Sequence, residues 1–229
     1  MFKLIREIQD ILAGNKIKKL NALTYKNYIS DNTRPTESET IVGFRYLENI
    51  PPPYSNSSIE TKEEIDEIIN STKNLQDNVI ETILLIDKDP LIVYKSLLKS
   101  HSLEFPQETF DNLYNILYDI IKDTKIYFNR PRPNQISEFY DIDIPVINTD
   151  THHTPSYPSG HVAYATLAEI LLSDLYPELS VKFKEITDKV KLARIKQGVH
   201  FNSDNTAAYK FVYSIFDHLV DYSNQINQT

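Results

Sequence analysis

The chain has no cysteine among its 229 residues, which removes disulfides, thiolate metal sites and cysteine nucleophiles together. It also has no tryptophan and only four glycines. The loops are therefore not glycine-rich, and the aromatic content rests on 15 Tyr and 10 Phe. Positive charge is in deficit, with 24 Lys and Arg against 32 Asp and Glu and a net charge of −8. A phosphate backbone requires a positive field, so a nucleic-acid partner is not expected. Any site for a small anion must be a local cationic pocket in an acidic surface. No apolar run approaches the length of a membrane span, which predicts a soluble protein. The stretch Met1 to Leu20 carries Glu7 and Asp10 where a signal peptide would be apolar, and reads as an amphipathic helix. A cytoplasmic location is the default expectation on that basis.

What the chain does have is helical periodicity. Residues 1–28 read as a helix, followed from about residue 30 to 58 by an irregular stretch containing Pro51-Pro52-Pro53. Three prolines in succession exclude helix and favour an extended path over the surface of a core domain. This divides the chain into 1–58, a helix and wrapping segment, and 59–229, a helical core, forming one globular unit. Within the core, helices are predicted over 58–74, 78–88, 90–99, 109–128, 159–175, 179–198 and 204–222, with 134–157 as loop. Period-two alternation is almost absent. The fold class is an all-α, single-domain bundle.

Three separated patterns carry chemistry. Lys125-x6-Arg132-Pro133 places one cation in a last helical turn and another at a proline-stiffened corner, where a guanidinium is held for bidentate contact with an oxyanion. Pro158-Ser159-Gly160-His161 enters a helix, whose first amides and dipole attract anions. Ser159 can offer hydroxyl and amide, and Gly160 allows close backbone approach. Arg194-x5-His200-x3-Asp204 sits at the next helix junction. There a carboxylate four residues beyond a histidine can fix the ring tautomer and leave the other nitrogen nucleophilic. Each pattern has a plain alternative: a cation suiting a helix dipole, a Ser N-cap beside an incidental histidine, an Asp204 N-cap beside a half-buried His200. Their occurrence in order in one short chain favours a single oxyanion site.

Together the three resemble the type 2 phosphatidic acid phosphatase and vanadium haloperoxidase superfamily, whose pattern is KX6RP, PSGH and SRX5HX3D. The likeness is strongest to the bacterial class A non-specific acid phosphatases. It is carried by Lys125-Ile-Tyr-Phe-Asn-Arg130-Pro-Arg132-Pro133, by Ser156 to Leu167 and by Gly198 to Asp204, and is dense over 125–208. The resemblance implies that Lys125, Arg132 and Arg194 clamp phosphate oxygens, with Ser159 and the Gly160 amide completing the cradle. It further implies that His200 attacks phosphorus, that His161 protonates the leaving alcohol and then activates water, and that Asp204 orients His200. Ala193 stands where the family has Ser, and the signal peptide usual in that group is not recognisable.

The expected activity is a metal-independent acid phosphatase acting on a small phosphorylated substrate through phosphohistidine, with no cofactor. Vanadate is expected to inhibit. Under the alternative reading, a haloperoxidase, vanadate becomes the cofactor held by the same cradle. A second alternative is an inactive helical protein that binds phosphate. Family tendency suggests a homodimer or larger assembly. His152-His153 lack convergent partners for a metal and are expected to border the pocket; His101 and His218 are expected to be structural.

Overall fold

The computed structural model describes residues 13–25 and 44–226. Residues 13–21 are helical (α1). Residues 22–25 are a turn and irregular backbone, so the helix predicted over 1–28 ends at residue 21. Residues 1–12 and 26–28 of that prediction, and the first half of the wrapping segment, fall outside the described residues. The remaining helices are α2 (Ile59–Thr72), α3 (Asp77–Lys88), α4 (Ile92–Ser100), α5 (Gln107–Phe128), α6 (Pro133–Ser137), α7 (Gly160–Leu175), α8 (Ser180–Lys196) and α9 (Asn202–Ile226). No strand occurs among the described residues, so the all-α expectation holds.

α7 is the centre. It packs against α5, α8 and α9, and Val162, Ala163, Ala165, Leu167, Ala168 and Leu172 are all inaccessible to solvent. A helix apolar on nearly every side has to be surrounded, and small residues on α7 let its neighbours approach closely. One carboxylate is buried among them. Glu169 accepts hydrogen bonds from Tyr209 (2.9 Å), Tyr213 (2.8 Å) and Thr187, and Thr187 Oγ1 lies 2.6 Å from the Tyr94 hydroxyl. With its oxygens so occupied, the carboxylate ties α7 to α8 and α9 instead of disrupting the core.

A second, smaller core of Leu20, Ile65, Ile68, Ile136, Ile144, Ile195 and Phe201 joins α1, α2 and α8 to the loop after α6. The described part of the wrapping segment is anchored where a short 3-10 turn, Tyr46–Asn49, buries Tyr46 and Leu47. Pro51–Pro53 then run on without helix.

Two helix ends position the site. α5 stops at Asn129, left-handed at φ 46°, whose N–H returns to the Lys125 carbonyl at 2.9 Å; the prolines beyond prevent continuation. α8 ends in a Schellman motif, with Gly198 N–H to Ile195 O at 2.9 Å and Val199 N–H to Arg194 O at 3.4 Å. Gly198 has φ +79°, and a Cβ there would lie 2.7 Å from the Pro145 carbonyl oxygen. One expectation is corrected. The stretch 134–157 is not all loop, because α6 begins on Pro133 at its first position, and the Gln135 side chain accepts the Arg132 N–H at 2.8 Å. A single-turn helix is too short to show periodicity.

Gly198→Ala is expected to destabilise the fold by about 1–3 kcal/mol through backbone strain at positive φ, with the Pro145 contact adding to it. For a domain of this size that lowers Tm by roughly 3–10 °C, measurable by calorimetry.

Candidate active site

The three motifs converge through backbone hydrogen bonds. Ser156 N–H donates to Arg130 O and Ser156 Oγ to Pro131 O, both at 3.0 Å. These bonds pin the Ser156–His161 stretch against the corner after α5. Ser159 N–H donates to Asp204 O at 3.2 Å, joining the entry of α7 to the first turn of α9. Lys125, Arg132, Gly160, His161 and His200 line one cavity of about 310 Å³. Asp204 contacts His200 of that lining and Ser159 precedes Gly160. Arg194 does not line the cavity, and its charge reaches His161 and His200 electrostatically.

Lys125 and Arg132 are buried and reach carbonyl oxygens of a single loop. Lys125 Nζ donates to Pro155 O at 2.5 Å, and Arg132 Nε to Thr154 O at 2.8 Å. Arg132 Nη1 also donates to Val199 O at 2.8 Å and contacts His200 Nε2 at 3.0 Å. A guanidinium can only donate, so His200 Nε2 is an acceptor and Nδ1 carries the proton. Nδ1 faces Asp204 Oδ2 at 3.2 Å. Asp204 does a second job: Oδ2 accepts the Phe201 N–H at 3.0 Å, so it closes the start of α9 from the third helical position and is not the N-cap.

Arg194 is 1 % exposed. Its Nη1 bonds Asp87 Oδ1 and, at 2.5 Å, Gln197 Oε1. Its Nε and Nη2 are buried with no protein partner, and so is the Ser159 hydroxyl. Donors of that kind are rare in native interiors unless something else receives them. The Ser159 amide, expected to face the anion, is instead spent on Asp204 O. Gly160 and His161 supply the first-turn amides of α7, which helical bonding leaves unpaired. A Cβ on Gly160 would meet nothing of the protein closer than 3.7 Å, so protein packing does not require glycine here.

Several functional residues were not apparent in the sequence. Asp87, at the end of α3, holds Arg194 and Thr151 through its carboxylate, and its backbone oxygen accepts from His161 Nε2 at 2.8 Å. Arg130 donates to Asp204 Oδ1 at 2.6 Å and to Glu64 Oε2 at 3.3 Å while stacking 4.0 Å over the Phe201 ring. Its sequence signal is its place in the Lys125 to Pro133 stretch that carries the family resemblance, which assigned it no role. Glu64 also receives Ser203 Oγ at 2.9 Å. Asp204 is thus shared between His200 and Arg130.

The electrostatics follow from crowding. Burial, then Arg132, push the Lys125 ammonium well below its ordinary value. His200 is driven well below the usual imidazole range by burial and by Arg132, Arg194 and Lys125. His161 falls to about 3 through burial and Arg194. Burial alone would raise the Asp87 carboxyl, but hydrogen bonds from Thr151 and Arg194 outweigh it and hold it far below the normal carboxylate range.

His152 stacks on His153 with ring centres 5.0 Å apart, and its Nδ1 lies 3.3 Å from Thr149 Oγ1. Neither lines the cavity that holds His200, and no group of three metal-type side chains gathers among the described residues. His101 Nδ1 lies 3.0 Å from the Leu97 carbonyl oxygen, and His218 stacks on Phe44.

The model of the PAP2 superfamily matches residues 113–216, a span that contains all eight candidate residues, and the superfamily resemblance read from the motifs is borne out. The fold is similar to the first transmembrane PAP2 type phosphatidylglycerolphosphate phosphatase from Bacillus subtilis, with a TM-score of 0.50 and 16 % identity over 74 % of this chain and 89 % of that one. No curated protein matches the chain. Among the described residues no helix is long and apolar enough to cross a membrane.

Both histidines have folded-state values below the unfolded 6.5, so the unfolded chain binds more protons over the interval beneath it. Stability is therefore expected to be fully present above about pH 6.5 and to fall as pH drops from there toward 4, by up to about 1.4 kcal/mol per pH unit for each histidine. Inorganic phosphate should flatten this decline. Calorimetric Tm against pH, with and without phosphate, checks both statements.

Proposed function

We propose that the chain is a soluble, metal-independent acid phosphatase that hydrolyses phosphate monoesters through a phosphohistidine intermediate. The observation that carries this reading is the set of buried, unspent donors on Arg194 and Ser159, beside a cavity already lined by Lys125, Arg132 and His200. Fixed cations there neutralise the charge spread over the equatorial oxygens of a loose phosphoryl transition state.

The steps follow from the hydrogen bonds. His200, with Nδ1–H held by Asp204, attacks phosphorus through the Nε2 lone pair once the Arg132 N–H that this nitrogen accepts turns to a phosphate oxygen. A P–N bond forms as the P–O bond to the leaving alcohol breaks. The alcohol oxygen takes a proton from His161. Because His161 Nε2 is engaged by the Asp87 carbonyl oxygen, Nδ1 is the nitrogen that gains and gives this proton. His161 then removes a proton from water, whose oxygen attacks phosphorus. The P–N bond breaks, phosphate leaves and His200 is restored. Burial and then the Arg194 charge depress His161; a dianion in the cradle offsets the second of these, so substrate binding supports the protonated acid. Activity should favour mildly acidic pH.

The same cradle suits vanadate, which gives the second reading: a haloperoxidase with His200 as the vanadate ligand. A decayed site that only binds phosphate is the third. Acid-quenched reactions with phenyl phosphate should trap acid-labile phosphohistidine in wild type and none in His200→Ala. Turnover should fall by about three or more orders of magnitude in His200→Ala and by about 10²–10⁴ in His161→Ala. An unchanged trapped signal in His200→Ala would overturn the nucleophile assignment. Vanadate-dependent bromide oxidation without ester hydrolysis would select the second reading, and phosphate binding with neither activity the third.

A further inference from the structure

We infer that the site carries an aromatic wall for the leaving group, and that the preferred substrate is the phosphate ester of a neutral alcohol bearing a planar aromatic ring. This deepens the phosphatase reading and rests on it. The cavity that holds Lys125, Arg132 and His200 is also lined by His161, Tyr114, Tyr118 and Tyr164. A second cavity of about 340 Å³, lined by Pro90, Leu91, Phe110 and the same Tyr114, Thr151, His161 and Tyr164, adjoins it. His161 therefore stands at the junction of the two.

A group that protonates the leaving oxygen fixes where the rest of the leaving group must lie. Here that direction is aromatic. Tyr164 is one turn beyond Gly160 on α7, and a Cβ on Gly160 would sit 3.7 Å from the Tyr164 ring. The wall thus begins at the phosphate cradle. Tyr114 continues it outward, with its ring centre 4.6 Å from that of Tyr164 at 55°, and Tyr118 follows at 6.1 Å from Tyr114. Tyr114 and Tyr164 are half-buried and Tyr118 is exposed, so rings grade from enclosed to open along the exit. Tilted rings at these separations accept a further ring edge-on or offset. Asp87, Asp89 and Asp111 line the adjoining cavity against one cation, Lys88, and this net negative lining opposes a second anionic group and favours a neutral ring.

The test compares benzyl phosphate with cyclohexylmethyl phosphate, which release primary alcohols of similar size and acidity. The matching phosphonates serve as non-hydrolysable ligands, read by thermal protection. Wild type is expected to prefer the benzyl ester by about three- to tenfold in kcat/KM, and benzylphosphonate to bind more tightly by a similar factor. The preference should drop to within about twofold in Tyr114→Leu and Tyr164→Leu and survive in Tyr114→Phe. Inorganic phosphate protection of each variant establishes that the cradle has folded. Equal use of both esters by wild type, or a preference untouched by both leucine variants, would overturn the wall while leaving the phosphatase reading intact. Hydrolysis of neither ester, with tighter benzylphosphonate binding, would sink the phosphatase reading and keep the ring subsite.

Discussion

The arrangement depends on holding Lys125, Arg132 and Arg194 together out of water. Like charges brought into a low-dielectric interior repel, and each loses hydration. The protein offsets this in two ways. Carbonyl oxygens of Thr154, Pro155, Ser156 and Val199 receive Lys125 and Arg132, while Asp87 and Gln197 receive Arg194. These partners come from the ends of α3 and α8 and from one loop, which explains why the bundle's irregular backbone collects at one place. The compensation is incomplete, since two nitrogens of Arg194 stay unpaired. Under the proposed function an oxyanion with several charged oxygens completes it, and that incompleteness is what such a binding site requires.

The two histidines are held by different means, and the difference suits different roles. His200 faces a carboxylate, Asp204, that is itself fixed by Arg130 at 2.6 Å and by the Phe201 amide. A ring so oriented keeps one tautomer, as a nucleophile must. His161 bonds a backbone carbonyl, with the Asp87 carboxylate 3.9 Å away. A carbonyl orients the ring without pinning its charge, so the proton on the other nitrogen responds to what occupies the cradle. Glu64, raised by burial against the pull of Arg130, extends the His200 side toward α2. A larger cavity of about 500 Å³ opens there, lined by Glu60, Glu63, Glu64 and Glu67, and its charge is wrong for a phosphate.

Much of this was legible in the sequence because it is local. Long amphipathic helices announce themselves by periodicity, and α5, α7 and α9 begin and end within a few residues of expectation. The helix-end motifs are short and contiguous, so Lys125, Arg132, Gly160, His161 and His200 could be placed at one site. α6 was missed because five residues carry no period, and its signal was the proline at its first position with Gln135 behind it. Asp87 was unreadable for another reason. Its partners Arg194 and His161 are 107 and 74 residues away, and an aspartate at the end of a helix has many ordinary uses. Ser159 shows a divided case: hydroxyl and amide were both expected to be offered, and only the fold reveals that the amide is taken by Asp204 O while the hydroxyl has no protein partner.

Under the proposed function one helix turn joins binding, proton transfer and the exit of product. Gly160 opens α7 and offers backbone at the cradle; His161 follows beside the leaving oxygen; Tyr164, on the same face as Gly160 by helical spacing, begins the aromatic wall. Because α7 is packed against α5, α8 and α9, these three cannot shift independently. The central helix is apolar almost everywhere else, so its first turn is the place where it can meet a polar ligand without disturbing the core. Burial of α7 therefore fixes both the distance from cradle to acid and the direction in which the leaving group must point, and Tyr114 on α5 meets it from the opposing helix.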